Sequence, residues 1–583
     1  MRQPSFLLLL LIAWLLVMLQ LLSQHWAETA QTLLDTDDAM RLAQMRDWLH
    51  GQGWYDLHQW RVAPGYESHW SRLIDAGLAG LLLLFRQFVD LPLAERLMRT
   101  VWPMLWLLPV MGGAAAIAWR IGGRQAALLT LLLAVVGLPA FHQFRPGRID
   151  HHNVQIALTA LAVGATVWSD RVRWASIAAA AVTGLALAIG LECLPYLLVC
   201  AAAFAVRYVL DRDAARAAAD YGVTLAVVSL AGFLATVGAD HWTRGVCDQL
   251  AVNWLALVVI GGLGLAAAGR LASERLPVRL VCVGAVAAAA GVPFLMIEPR
   301  CLAGPYAMMD PAVWPIWLAH VREMQPLIPL FAKSPLTATA IAAFPVAALI
   351  AAAVLLRDPA LRRDFGFIVA VAALLAAFIT TLAAIKAYSY ATWLGMPLVA
   401  VLALHLFAWL NVRSLVPRVA LSLLLTPAAL SIGAISIADA AGINERENFN
   451  RPEREACLAT ANYAPLAQLP AGLVAADLDF GPFLLALTPH SILAAPYHRL
   501  STGIIEAHEV FVSPPQVARD LLEREHVTYV VTCGPRPPSG LAGEALRASL
   551  WGHLQAGDVP SWLERLPGAE DQAFVAYRLR RSL

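Results

Sequence analysis

Leu34-Asp35-Thr36-Asp37-Asp38-Ala39-Met40-Arg41-Leu42 places three carboxylates in four residues, shortly after an apolar run from Phe6 to Leu22. Carboxylates this close to hydrocarbon are costly to bury, so they stay wet, bind cations or do chemistry. Taken alone, the stretch reads as a solvated acidic turn, with Asp35 and Asp38 capping a helix that starts near Asp38. Two further polar knots weaken that reading: Gly147-Arg148-Ile149-Asp150-His151-His152-Asn153 and His320-Val321-Arg322-Glu323-Met324-Gln325-Pro326 also adjoin apolar segments. What the three can do together depends on whether they share one side of a membrane.

Composition makes a membrane certain. Of 583 residues, 59% are hydrophobic and 14% charged, with a mean hydropathy of +0.63; a soluble domain carries about 25% charged residues. The net charge of +1 gives no basis for a nucleic-acid partner. Seven cysteines without a CxxC or Cys/His zinc spacing make neither a disulfide scaffold nor a zinc site. Cys193, Cys200 and Cys282 fall inside apolar runs and read as small core residues.

Along the chain, Met1-Arg2-Gln3 precedes a run long enough to span, and no small-x-small cleavage site follows it. It reads as an uncleaved first helix with Arg2 in the cytoplasm. Residues 23–99 are mixed and rich in tryptophan and tyrosine, as suits an interfacial loop. The short apolar stretch at 76–89 is expected to dip rather than cross, because a crossing there would put Arg120 and Arg124 outside. Further spans are expected near 101–119, 125–141, 153–168, 174–190, 192–208, 221–237, 252–269, 278–296, 336–356, 365–385, 392–411 and 419–438, about thirteen in all. The basic connections Arg171/Arg173, Arg207/Arg212/Arg216, Arg270/Arg275/Arg279, Arg357/Arg362/Arg363 and Arg413/Arg418 then all lie inside. The three polar knots come together on the outer face.

The expected fold is thus an α-helical polytopic membrane protein. Residues 1–438 form the transmembrane domain, with outer loops 23–99, 142–152 and 297–335, and 439–583 form a small outer α/β domain. In the latter, Gly472–Ala476, His490–Ala495 and Val527–Thr532 are β-prone and Pro514–Glu525 has helical periodicity. Cys457, on an expected helix, and Cys533, ending an expected strand, are predicted to pair if the two elements pack.

Asp37, Asp150, His152 and Glu323 are hard oxygens plus an imidazole, a donor set suited to Mn²⁺ or Mg²⁺. Such an ion is useful where a phosphorylated group leaves; a hydrogen-bonded buried histidine pair explains Asp-His-His equally well. At these residues the chain resembles the catalytic subunit of oligosaccharyltransferase and its single-subunit bacterial and archaeal relatives, membrane glycosyltransferases of GT-C fold. That family has an Asp in its first outer loop, in a pattern like Asp37-Asp38-Ala39-Met40-Arg41-Leu42. Its second outer loop carries an acidic motif similar to Asp150-His151-His152. Its third carries a Thr/Ser-hydrophobic-x-Glu motif, often followed by Gln-Pro, and His320-Val321-Arg322-Glu323-Met324-Gln325-Pro326 is similar, with His in place of Thr or Ser.

The resemblance implies a polyprenyl-phosphate or -diphosphate sugar donor and a divalent cation, Mn²⁺ or Mg²⁺. It implies that Asp37 holds the metal and orients or deprotonates the acceptor, with Asp150, His152 and Glu323 completing the metal site and Asp37 and Glu323 catalytic. Arg148, His151 and Lys386 are the candidates for binding substrate, with interfacial anchoring the plain alternative for Arg148 and Lys386. Glu192 stands at a short outer turn or within the membrane and has no role assigned. The implied location is a bacterial inner membrane, with the C-terminal domain in the periplasm.

One departure bears on the acceptor. Members of the family that glycosylate proteins have Trp-Trp-Asp in the outer domain; the nearest stretch here is Asp477-Leu478-Asp479-Phe480-Gly481-Pro482. A lipid or glycan hydroxyl is therefore the expected acceptor, rather than an Asn-x-Ser/Thr sequon. Two other readings stay open: another GT-C branch acting on lipid or polysaccharide, and a transporter or flippase, which would call for matched, broken helices at mid-membrane.

Overall fold

The computed structural model describes residues 4–63, 65–446, 455–567 and 573–580. Its helices run between two faces, and buried arginines mark one of them. Arg120 pairs with Asp170 at 2.5 Å and Asp364 at 2.9 Å, drawing three inter-helix connections together. On the same face Arg124 donates to the Pro4 carbonyl, and Arg279 donates to that of Val209. This short-loop face collects the turns expected to be basic.

By length and composition, eight helices among the described residues can cross a membrane, or nine if the bent pair Leu415–Leu423 and Pro427–Ala440 is one span. Gly123 divides the longest, Leu91–Val135. Its φ of 74° and ψ of −172° reverse the chain, a backbone state that glycine adopts without strain. Arg120 thus lies on the short-loop face, whereas Arg99 and Gly147, joined by a backbone hydrogen bond, lie on the other. Three helices of 17 residues each, His152–Trp168, Arg173–Ile189 and Leu194–Leu210, join the same faces; at 1.5 Å per residue each is about 25 Å long. The expected crossings therefore each correspond to a helix or half-helix. Small residues let neighbours approach closely: a Cβ on Gly222 would sit 2.2 Å from the Gly262 carbonyl oxygen.

The helix Arg72–Phe85 has 14 residues, too short to span, and both its flanks stay on the long-loop face. Arg72 donates to Gln52 and the Asp56 carbonyl, while Glu95, beyond its other end, pairs with Arg46. This matches the expected dip.

The long-loop face carries the helix Thr36–Leu49 and a small hairpin of β1 (His58–Gln59) and β2 (Tyr66–Glu67). A Cys247–Cys301 disulfide, which the sequence reading did not anticipate, ties the loop before Val252 to the one after Ile297. Above them sits a five-stranded mixed sheet of β3 (Leu473–Ala475), β4 (Ser491–Ile492), β5 (Tyr529–Cys533), β6 (Leu563–Arg565) and β7 (Phe574–Leu579), in the order β4-β3-β5-β7-β6. The parallel β3–β4 and β3–β5 pairs cover the three expected strands, and Pro515–Arg524 is the expected helix. The antiparallel β6 and β7 were not expected; β6 is only three residues long.

The first loop docks onto this sheet. The Ile492 N–H donates to the Arg61 carbonyl at 2.8 Å, and the Ala63 N–H donates to the Ile492 carbonyl at 2.9 Å, extending the sheet edge. Arg61 also donates to the carbonyls of Leu485, Thr488 and His490. The helix Thr36–Leu49 is thereby held between the sheet domain and the membrane helices.

Cys457 and Cys533 form the expected disulfide, with Cα atoms 6.0 Å apart. It closes 76 residues, so in the chain-entropy account its removal by Cys457→Ala/Cys533→Ala is expected to cost about 4 kcal/mol, read as a lower Tm in detergent. In sealed vesicles of a variant lacking the free cysteines, Gln125→Cys and Trp60→Cys are expected to react with an impermeant thiol reagent from opposite sides. Labelling of both from one side would overturn the two-face topology.

Candidate active site

The carboxylates at the start of the helix Thr36–Leu49 meet different environments: Asp37 and Asp38 are successive helical positions that point about 100° apart, and Asp35 precedes the helix in extended conformation. Asp38 is fully buried: its Oδ1 accepts the Ile149 N–H at 2.7 Å and the Asp150 N–H at 3.1 Å, and its Oδ2 pairs with Arg148 at 3.1 Å. Asp35 occupies the N-cap position without capping the helix; it accepts from Thr36 Oγ1 and pairs with Arg148 at 2.7 Å. Asp37, between them, faces a cavity.

This corrects two expectations. Asp35 is not a helix cap and Asp38 is not a solvated charge; together they bind the second loop to the first. Arg148, a candidate for binding substrate, is 5% exposed, and its guanidinium is taken up by Asp35, Asp38 and, at 2.9 Å, Gln143 Oε1. Arg148 also lines the cavity, with its charge offset by the two carboxylates that hold it. Arg41 works similarly one turn on: buried over the Trp70 ring at 4.5 Å, it pairs with Asp75 at 3.0 Å and lies 3.8 Å from Asp150.

Asp150 is held by His151, whose Nδ1 hydrogen-bonds Oδ1 at 2.5 Å, while His152 Nε2 lies 3.2 Å from Oδ2 without a hydrogen bond. One potential ligand atom from each of the three lies within 4.8 Å of the others. His152 turns its Nδ1 to Glu192 at 2.7 Å, and Glu192 meets Lys386 Nζ at 2.6 Å through its other oxygen. Lys386 in turn lies 3.9 Å from Glu323.

The cavity measures about 890 Å³. Asp37, His151, His152, Lys386 and Glu323 line it, and so does the Asp477–Phe480 turn of the sheet domain; Asp150 sits behind the histidines. Tyr497 closes the site from the sheet side, donating from Oη to the Thr36 carbonyl at 3.1 Å and packing edge-on against Trp70. All four candidate metal ligands are thus at one place, although Asp37 and Glu323 stand outside the close Asp150–His151–His152 group.

Burial pushes the Asp37 carboxyl well above its usual range, and the negative charges of Asp150, Asp35 and Glu323 push it the same way. Burial acts on Asp150 too, but His151 and His152 outweigh it and hold that carboxyl low. Carboxylates gathered this way, beside two imidazoles, fit a divalent cation.

Glu192 escaped the sequence reading as a participant. Its signal was a lone carboxylate at the turn between two apolar helices, a position that says nothing of its partners. A second cluster, His69, Asp248 and His498, joins the first loop, the loop before Val252 and the sheet domain. Arg499 occupies both oxygens of Asp248 at 2.6 and 2.7 Å, so this cluster is a neutralised tie between domains.

No family model and no curated protein matches the chain. Solved structures do. The archaeal oligosaccharyltransferase AglB from Archaeoglobus fulgidus, in complex with an inhibitory peptide and a dolichol-phosphate, aligns with a TM-score of 0.69 at 14% identity, over 96% of this chain and 79% of that one. The apo form of the Archaeoglobus fulgidus oligosaccharyltransferase aligns at 0.67 and 16% identity, over 90% and 69%. Its complex with Zn and sulfate aligns at 0.61 and 15% identity, over 90% and 68%. The chain has the fold of these polytopic membrane proteins.

Arg148→Met would leave Asp38 buried without its cation and is expected to cost about 3–5 kcal/mol. Asp35→Asn, at a carboxylate 39% exposed, is expected to cost about 1 kcal/mol or less. Thermal unfolding of the two variants in the same detergent tests the contrast.

Proposed function

We propose that the protein is a membrane glycosyltransferase of the oligosaccharyltransferase type. It moves a sugar or oligosaccharide from a polyprenyl-phosphate or -diphosphate donor to an acceptor at the long-loop face. The observation that carries this reading is the meeting of three loops in one cavity at the ends of the membrane helices: Asp37 from the first, His151 and His152 from the second, and Glu323 from the third, with Lys386 beside them. The dolichol-phosphate bound to the archaeal relative supports a lipid-linked donor.

In the reaction the bond from the sugar C1 to the lipid phosphate oxygen breaks, and a bond from the acceptor to C1 forms. Asp37 orients the acceptor and takes its proton; a carboxyl pushed above its usual range is a stronger base toward a hydroxyl. Lys386 meets the phosphate as a compact positive charge. Asp150, His151 and His152, with Asp37 and Glu323 at the edge of the group, would hold a divalent cation, Mn²⁺ or Mg²⁺. That ion, when bound, offsets charge developing on the leaving phosphate oxygen.

The acceptor is a lipid or glycan hydroxyl. An amide nitrogen is a poor nucleophile and needs a grip on the residue two positions on, whereas the Asp477–Phe480 turn at the cavity brings Leu478 and Phe480 instead of two indoles. The protein sits in a bacterial inner membrane with its sheet domain in the periplasm.

Purified protein incubated with a labelled lipid-linked sugar pool is expected to transfer sugar, and EDTA to stop it. Asp37→Asn is nearly isosteric, so its Tm should hold while turnover falls about a hundredfold or more. Full activity in that variant would sink the assignment. With a fluorescent sequon peptide as acceptor, no glycopeptide is expected; efficient conversion, lost on changing the sequon Thr to Ala, would refute the hydroxyl acceptor.

A further inference from the structure

Glu192 is held in place with unusual economy. The helix Arg173–Ile189 ends at Gly190, and the next helix begins at Leu194. Gly190 packs so tightly on the helix His152–Trp168 that a Cβ there would lie 2.5 Å from Gln155 Nε2. The turn is thus pressed against the helix that begins with His152, and Glu192 projects from it between two groups of different kinds. One carboxylate oxygen accepts from His152 Nδ1 at 2.7 Å, and the other accepts from Lys386 Nζ at 2.6 Å. His151 Nε2 is 3.8 Å away.

A carboxylate can only accept, so the contact puts a proton on His152 Nδ1. The lone pair of a neutral ring is then on Nε2, 3.2 Å from Asp150 Oδ2, a buried oxygen that accepts no hydrogen bond, so two acceptors face each other where a cation would sit. A carboxylate that fixes the tautomer and plane of a ligating imidazole typically changes metal affinity by about ten- to a hundredfold. The second oxygen does the same office for Lys386: a flexible ammonium on a four-carbon stem is held where the cavity needs a positive charge.

We infer that Glu192 is a positioning residue that orients His152 toward a divalent cation and Lys386 toward the donor phosphate, coupling the two halves of the site through one carboxylate. This rests on the metal and phosphate roles proposed above for His152 and Lys386.

The test titrates Mn²⁺ alone into the full-length protein in detergent, following free Mn²⁺ by its EPR signal. Glu192→Gln keeps shape and an acceptor oxygen but loses the charge; it is expected to weaken Mn²⁺ binding about ten- to a hundredfold at unchanged Tm. Glu192→Asp, shorter by one methylene, should fall between that variant and wild type. In the transfer assay Glu192→Gln should also raise KM for the lipid-linked donor, as Lys386→Met does, while Lys386→Met leaves Mn²⁺ affinity near wild type. If His152→Ala abolishes Mn²⁺ binding but Glu192→Gln binds like wild type, the inference alone is overturned. If wild type binds no Mn²⁺, or His152→Ala binds as well as wild type, the metal reading falls and the inference with it.

Discussion

A single guanidinium sets the geometry of the candidate site. Arg148, from the second loop, is buried between Asp35 and Asp38 of the first. Asp38 completes the joint by accepting the backbone N–H groups of Ile149 and Asp150. A buried ion pair adds little net stability over a well-packed apolar contact; what it supplies is direction, because each charge must meet its counter-charge or remain desolvated and unpaired. Here the direction fixes the start of the helix Thr36–Leu49 against the Asp150 backbone. Asp37 then faces the cavity on the same side as the imidazoles.

The sheet domain completes that cavity from the other side. It is not tethered loosely: Arg61 and Ala63 of the first loop extend the edge at β4, Arg46 donates to the Ala486 carbonyl, and Tyr497 reaches the Thr36 carbonyl beside Asp37. The His498–Arg499–Asp248 tie adds a fourth connection, to the loop that the Cys247–Cys301 disulfide constrains. The first loop is therefore a layer shared by both domains. A change in how the sheet domain sits would move the helix that carries Asp37, so the sheet-side wall of the cavity and that carboxylate are mechanically linked.

The membrane helices contribute position more than chemistry. Charged side chains near hydrocarbon are tolerated where they pair or reach water. The chain obeys this at both faces, with Arg120 between Asp170 and Asp364 on one and the Glu192–Lys386 pair on the other. The polar groups that line the cavity gather at the long-loop ends of the helices.

The sequence alone determined the class of protein and placed the three polar knots together at one face. Hydropathy and arginine bias are properties of contiguous stretches, and bilayer thickness turns them directly into spans. It also nominated Asp37, Asp150, His152 and Glu323, and they do line or back one cavity. Only the tertiary structure decided which charges are spent. Asp35, Asp37 and Asp38 are indistinguishable as letters, yet the fold leaves Asp37 to the cavity and pairs Asp35 and Asp38 with Arg148, a partner more than a hundred residues away. Glu192 reads as an isolated carboxylate until folding brings His152 and Lys386 to its two oxygens. The β6 and β7 strands likewise take their place from pairing with β5 rather than from local pattern. Burial and charge pairing are set by neighbours distant in the chain, and those neighbours exist only once the loops have closed on one another.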